Sequence, residues 1–341
     1  MIRLLQAMAG ADRGGAEGFF ERLTLALERA GIHQHVLIRH NPRRHHLLAQ
    51  GGVAVTELPF GGMLDLKTRH GFSKAVGEFK PAIVLTWMNR ASRFCPKGKH
   101  IRVGRLGGYY DLKYYQGFDH LIGNTQDICD WIISQGWRPE QVHYVPNFVN
   151  ATVAPPVSRA TFSTPEGVPV ILALGRLHEN KAFDILIKAL PAIPEAYLWL
   201  AGEGPLRAEL ELLASRLGVI SRVRFLGWRD DVAGLFASAD LFCCPSRHEP
   251  LGNVVIEAWA QGIPVVATAS EGPGELIEDD VDGVLVPVDD PAALAKGINR
   301  VLNDPGLAAH IGAAGRQVYQ EQFTEAVVVA RYLEFFRKVA G

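Results

Sequence analysis

Two glutamates eight residues apart, Glu249 and Glu257, stand in the segment Ser246-Arg-His-Glu-Pro-Leu-Gly-Asn-Val-Val-Ile-Glu-Ala-Trp-Ala260. The segment follows an apolar, β-rich run and opens a helix at Gly252-Asn253, where unpaired backbone N–H groups suit a phosphate. Val254, Val255, Ile256, Ala258, Trp259 and Ala260 hem in Glu257 on nearly every face. A carboxylate in that setting needs hydrogen-bond donors, and a pair of ribose hydroxyls supplies two. Glu249, in the preceding loop, is placed to meet sugar hydroxyls. Either glutamate alone reads as a buried ion pair or a solvated loop residue. The pair, its spacing and the helix start together read as a binding site.

A second constellation lies upstream, in Gly175-Arg-Leu-His-Glu-Asn-Lys181, between an apolar run and a helix. Arg176 and Lys181 are two cations at the carboxyl edge of a strand, where they can meet a diphosphate. Fixed cations there stabilise the negative charge that grows on a departing nucleoside diphosphate, without a metal.

These loops need elements to position them. The chain has 341 residues, about right for two domains, with 48 % hydrophobic and 21 % charged residues, an ordinary globular balance. Short β-rich runs alternate with amphipathic stretches in two successive series, which predicts two α/β domains with parallel sheets. Ligands in such domains bind at the carboxyl ends of the strands. Residues 150–169, with four prolines, form the expected linker. The expected domains are 1–155 and 156–322.

The net charge of −1 argues against a general nucleic-acid binder. It is unevenly spread. Residues 1–150 hold 19 basic and 12 acidic side chains, a net of +7; the rest hold 16 and 24, a net of −8. Basic runs around Arg43 and Arg44 and around Lys97 and Lys99 predict an anionic partner for the first lobe, such as a membrane surface or a lipid-linked precursor. Cys95, Cys129, Cys243 and Cys244 show no metal spacing and read as reduced thiols. No stretch reads as a signal peptide or a membrane span, so a cytoplasmic protein, peripheral at the inner membrane face, is expected.

Gly175-Arg-Leu…Lys181, Ala201-Gly-Glu-Gly-Pro205, Phe225-Leu-Gly227, Glu249 with Glu257, and Asp282-Gly-Val-Leu-Val-Pro287 resemble retaining glycosyltransferase family four, of GT-B fold, from about Pro169 to Val288. In the first lobe Gly14-Gly-Ala-Glu17 resembles the family's glycine-rich turn, and Val145-Pro-Asn-Phe-Val149 its pre-linker segment. The resemblance implies two Rossmann-like domains facing across a cleft and a C-terminal helix, 323–341, returning to the first. It also implies transfer of a sugar from a nucleotide-sugar donor, UDP- or GDP-linked, with retained configuration, to a glycan or glycolipid acceptor of the bacterial envelope.

On that resemblance Glu257 holds the ribose, Glu249 the donor sugar, and Arg176 and Lys181 the diphosphate. Gly252, Asn253 and Val254 offer backbone groups, and Gly14 and Gly15 let the donor approach. Ala182 follows the clamp lysine where many members carry Gly. The stretch Arg105-Leu-Gly-Gly-Tyr-Tyr-Asp111 lacks the histidine that many members place near the acceptor, leaving Tyr109, Tyr110 and Asp111 as local replacements.

No cofactor and no metal are expected beyond the nucleotide-sugar itself. Asp280-Val-Asp282 matches a metal-binding D-x-D but reads as a solvated turn, and Gly202-Glu-Gly204 lacks a third glycine for a dinucleotide fingerprint. The competing readings are a nucleotide-sugar epimerase of the same fold and a catalytically silent nucleotide-sugar-binding protein.

Overall fold

A computed structural model describes residues 2–12, 14–62, 64–149, 152 and 154–341. The chain packs as two units, one running to Phe148 and taking in Glu325–Gly341, the other Val149–Thr324.

The first unit alternates β1 (Arg3–Met8), α1 (Gly15–Arg29), β2 (His33–Arg39), α2 (Pro42–Gln50), β3 (Ala54–Leu58), α3 (Leu66–Phe79), β4 (Ile83–Trp87), α4 (Met88–Phe94), β5 (Ile101–Leu106), β6 (His120–Gly123), α5 (Gln126–Ser134) and β7 (Val142–Tyr144). All seven strands are parallel, in the order β3-β2-β1-β4-β5-β6-β7. The apolar run of β4 is buried along its whole length, as a central parallel strand covered on both faces requires.

The second unit runs β8 (Val170–Leu174), α6 (Phe183–Ala189), β9 (Tyr197–Ala201), α7 (Arg207–Arg216), β10 (Val223–Gly227), α8 (Val232–Ser238), β11 (Leu241–Cys244), α9 (Asn253–Gln261), β12 (Val265–Thr268), α10 (Glu271–Leu276), β13 (Val284–Val286), α11 (Pro291–Asn303) and α12 (Pro305–Gln322). Its six parallel strands are ordered β10-β9-β8-β11-β12-β13. The last helix, α13 (Glu325–Ala340), belongs to the first unit, where Val328, Tyr332 and Phe336 share a core with Phe19, Phe20 and Trp87.

The periodicity of the sequence predicts helices near 16–30, 65–79, 126–135, 183–190, 205–217, 232–237, 253–261, 291–302 and 308–319, and α2, α4 and α10 lie outside these. The basic run at 40–46 is helical from Pro42 onward, with Asn41 accepting from Arg44 N and Pro42 at the first turn. The presumed linker also differs. From residue 155 on it adheres to the second unit: Arg159 pairs with Asp240, Trp199 Nε1 donates to Thr164, and Phe162 meets the Trp199 ring edge-on. The expected boundary at 155/156 lies inside this packed stretch, because its apolar side chains find a core.

Candidate active site

In each sheet the strand order reverses once, between β1 and β4 in the first and between β8 and β11 in the second. Such reversals splay neighbouring loops apart and open a crevice at the carboxyl edge. The loops that leave β8 and β11 carry the two constellations singled out in the sequence.

Lys181 and Glu249 form an ion pair across these loops, both side chains mostly buried. Burial opposes the ammonium charge, but Glu249, Cys244 and Glu257 together outweigh it and raise the Lys181 pKa above its usual value. Glu257 thus acts electrostatically on the same lysine. It is half-buried, not enclosed as its neighbours suggested. Val255, Ile256, Ala258 and Trp259 turn to the core, while Asn253, Val254 and Glu257 share the remaining stripe of α9. Gly252 precedes the helix with a left-handed backbone (φ 78°) and, as a glycine, offers no side chain of its own to cap it. Arg176 is exposed on the β8 loop and has no side-chain partner among the described residues.

The two loops are fastened by residues that sequence reasoning missed. Asn180 O accepts from Arg247 N at 2.8 Å and His248 N at 3.2 Å. The Arg247 guanidinium grips both carboxylate oxygens of Asp184, each at 2.9 Å, and also Asp289. Glu271 accepts from Glu249 N and pairs with His248 at 2.6 Å. The Gly202-Glu-Gly204 turn backs the β8 loop: a Cβ at Gly202 would lie 1.8 Å from Gly175 O, so only glycine permits this approach. Ala182 sits in a left-handed conformation (φ 49°), which explains why a glycine suits the position.

In the first unit, Gly14 precedes α1 and Gly15 begins it. The missed residue is Glu17, buried beneath the turn and accepting from Ala11 N at 2.7 Å. A methyl on Gly10 or Gly14 would strike its carboxylate. The motif Gly14-Gly-Ala-Glu17 carried that signal, since a glutamate three residues past an N-cap can reach back to a loop N–H. Tyr109 is exposed and bonds Asp127, Tyr110 is half-buried with its hydroxyl pKa raised by burial, and Asp111 caps a short turn and pairs with Lys113. The Lys113 contact holds the Asp111 carboxyl below its usual pKa, which makes it a weak base.

Arg44 is a correction. Expected at an anionic surface, it is 1 % exposed, pairs with Glu21 at 2.8 Å and donates to Ala11 O and Asp12 O. Arg43 pairs with Glu21 as well, at 2.6 Å, while Lys97 and Lys99 are exposed. Asp282 is a second correction. It is buried, accepts from Glu278 N, and burial raises its pKa to about 6, while Asp280 pairs with Arg300. Among the described residues no group of three or more His, Cys, Asp or Glu is placed to hold a metal ion. No described helix is long and apolar enough to cross a membrane, and the four cysteines are unbridged.

Residues 156–318 match the family model for glycosyl transferases group 1. Over 95 % of its length the chain is 36 % identical to 95 % of LpsD, a lipopolysaccharide core biosynthesis glycosyltransferase of Rhizobium meliloti. LpsE of the same organism, similarly described, is 36 % identical over 94 % of this chain and 95 % of its own. The crystal structure of Anabaena HepE in complex with UDP-glucose superposes with a TM-score of 0.85 at 22 % identity, covering 99 % of this chain and 100 % of that one. Two parallel-sheet units of this topology are those of the GT-B fold, and the chain belongs to the group 1 glycosyltransferases.

Proposed function

We propose that this glycosyltransferase moves a hexose from a UDP-sugar to a lipopolysaccharide core glycan, with retention and without a metal. The observation that carries the donor side is the Lys181–Glu249 pair at the reversal of the second sheet, with exposed Arg176 on the β8 loop and the glycine-led start of α9 after β11. Arg176, Lys181 and the N–H groups of Asn253 and Val254 take the diphosphate, Glu257 the ribose, and Glu249 the sugar. The acceptor follows from LpsD and LpsE, whose likeness spans both units, and the uridine from the UDP-glucose bound by HepE.

No carboxylate is assigned as a nucleophile, and a double displacement needs one about 5 Å from its acid partner. The acceptor hydroxyl therefore attacks the anomeric carbon on the face the diphosphate leaves. The bond from that carbon to the diphosphate oxygen breaks, its electrons pass to UDP, and the hydroxyl proton goes to a donor phosphate oxygen. Lys97 and Lys99 add an exposed basic stretch that would favour an anionic surface.

A thermal-shift screen tests the donor. A ligand that binds the folded state stabilises it by RT ln(1 + [L]/Kd), so UDP-glucose or UDP-galactose should raise Tm above GDP- and ADP-sugars. Equal responses to all three nucleotides would contradict the reading. Free sugar or a 2-epimer released without an acceptor would favour the epimerase.

A further inference from the structure

The first sheet has its own reversal, between β1 and β4, and the loops leaving these strands flank a cavity of about 830 Å³. Arg39, at the end of β2, and Arg90 and Arg93 of α4 line it. None of the three pairs with a carboxylate among the described residues. The one acid on the wall, Glu17, is already engaged by Ala11 N. Three arginines against one carboxylate leave the cavity wall net positive, and the charge is carried by the side chain whose planar fork best fits phosphate and carboxylate.

Two further observations mark the crevice as built for a ligand. Asn89 Oδ1, on its wall, is buried with no hydrogen-bond partner among the described residues, an acceptor waiting for a donor. Phe60 and Met88 hold left-handed backbones (φ 45° and 64°), which side chains of their size rarely adopt and which persist where the surroundings fix a site. The rings of Tyr110 and Tyr114 complete the wall with surfaces on which a pyranose can lie.

We infer that this crevice is an acceptor subsite for an anionic sugar. The arginines take a phosphate or carboxylate substituent, Asn89 Oδ1 accepts a hydrogen bond from a sugar hydroxyl, and the tyrosines take the ring. The inference rests on the transferase reading above and narrows it to charged acceptors.

Calorimetric titration of the full chain with glucose, glucose 6-phosphate, glucuronate and inorganic phosphate tests it, with UDP-glucose titrated separately. Glucose 6-phosphate or glucuronate should bind, and which of them binds tighter names the anion. Glucose and inorganic phosphate should each bind about tenfold more weakly or not at all. Arg90→Gln with Arg93→Gln should abolish the preference for the charged sugar and leave UDP-glucose affinity unchanged. Asn89→Asp, which sets a carboxylate in the crevice, should weaken the charged sugar selectively. Equal affinity for glucose and the anionic sugars would overturn the inference. So would inorganic phosphate binding as tightly as the sugar phosphate, or a double variant that keeps the wild-type preference. Failure of UDP-glucose to bind the wild type, with the charged sugar still bound, would instead overturn the transferase reading.

Discussion

Lys181 and Glu249, 68 residues apart in sequence, are joined in one ion pair at the carboxyl edge of the second sheet. Their proposed tasks differ, one facing the diphosphate and the other the sugar, so a change in either is felt by both. Lys181→Ala strands a mostly buried carboxylate, and Glu249→Ala strands a mostly buried ammonium. Losses in kcat/KM for the two single variants should therefore not add in the double variant, which should be about as slow as the slower single. Additive losses would show that the residues act independently.

Arg176 is exposed and without a side-chain partner among the described residues, so its removal should leave the fold intact. Arg176→Ala should lower kcat/KM by about 10²–10³-fold, the usual effect of deleting one group that stabilises developing charge, with Tm unchanged. Near-wild-type turnover would remove Arg176 from the clamp.

Metal dependence follows from the same cations. With Arg176, Lys181 and the start of α9 to meet the diphosphate, turnover should survive saturating EDTA. Loss of turnover restored by Mg²⁺ or Mn²⁺ would contradict the account.

Arg44 and Arg43 contact the same Glu21 oxygen but differ in burial, which separates their contributions. Arg44→Met leaves Glu21 buried beside a single, half-exposed arginine and frees Ala11 O and Asp12 O. Urea denaturation should show a loss of about 3–5 kcal/mol. Arg43→Ala should cost no more than about 1 kcal/mol. Similar losses for both would refute the buried clamp.

His143 packs its ring on Phe335 of α13 and bonds His120 at 3.0 Å. Burial, His120 and Lys338 lower its pKa to about 4. A histidine with a lowered folded pKa contributes stability that is fully present above the unfolded value near 6.5. That stability is lost as the pH falls from there towards 4. Tm should therefore drop between pH 7 and pH 5 more steeply in the wild type than in His143→Phe. Parallel profiles would show that His143 titrates equally in both states.

The strands were legible because buried parallel strands write themselves as short apolar runs, as Val170–Leu174, Tyr197–Ala201, Leu241–Cys244 and Val284–Val286 do in β8, β9, β11 and β13. Helix α2 was not, because Leu48 is its only buried apolar residue, and its signals were the Asn41 cap and Pro42. Helix α4 opens at Met88 in a left-handed backbone that no local preference favours. In the candidate site, spacing and chemistry singled out Lys181 and Glu249, and the structure brings those two together. Arg247 and Glu271, which fasten the loops, were not singled out, since their partners lie 22–63 residues away in sequence. Arg44 shows the converse error: a charge run in sequence carries no information about which member is buried.

The most direct test is to incubate the protein with a UDP-hexose and a lipopolysaccharide core oligosaccharide lacking its outer sugars, then examine the product by mass spectrometry and proton NMR. The account predicts one added hexose in the donor's anomeric configuration, formed with equimolar UDP and abolished by Lys181→Ala. Hydrolysis to free hexose without an extended glycan, or an inverted anomer, would contradict it.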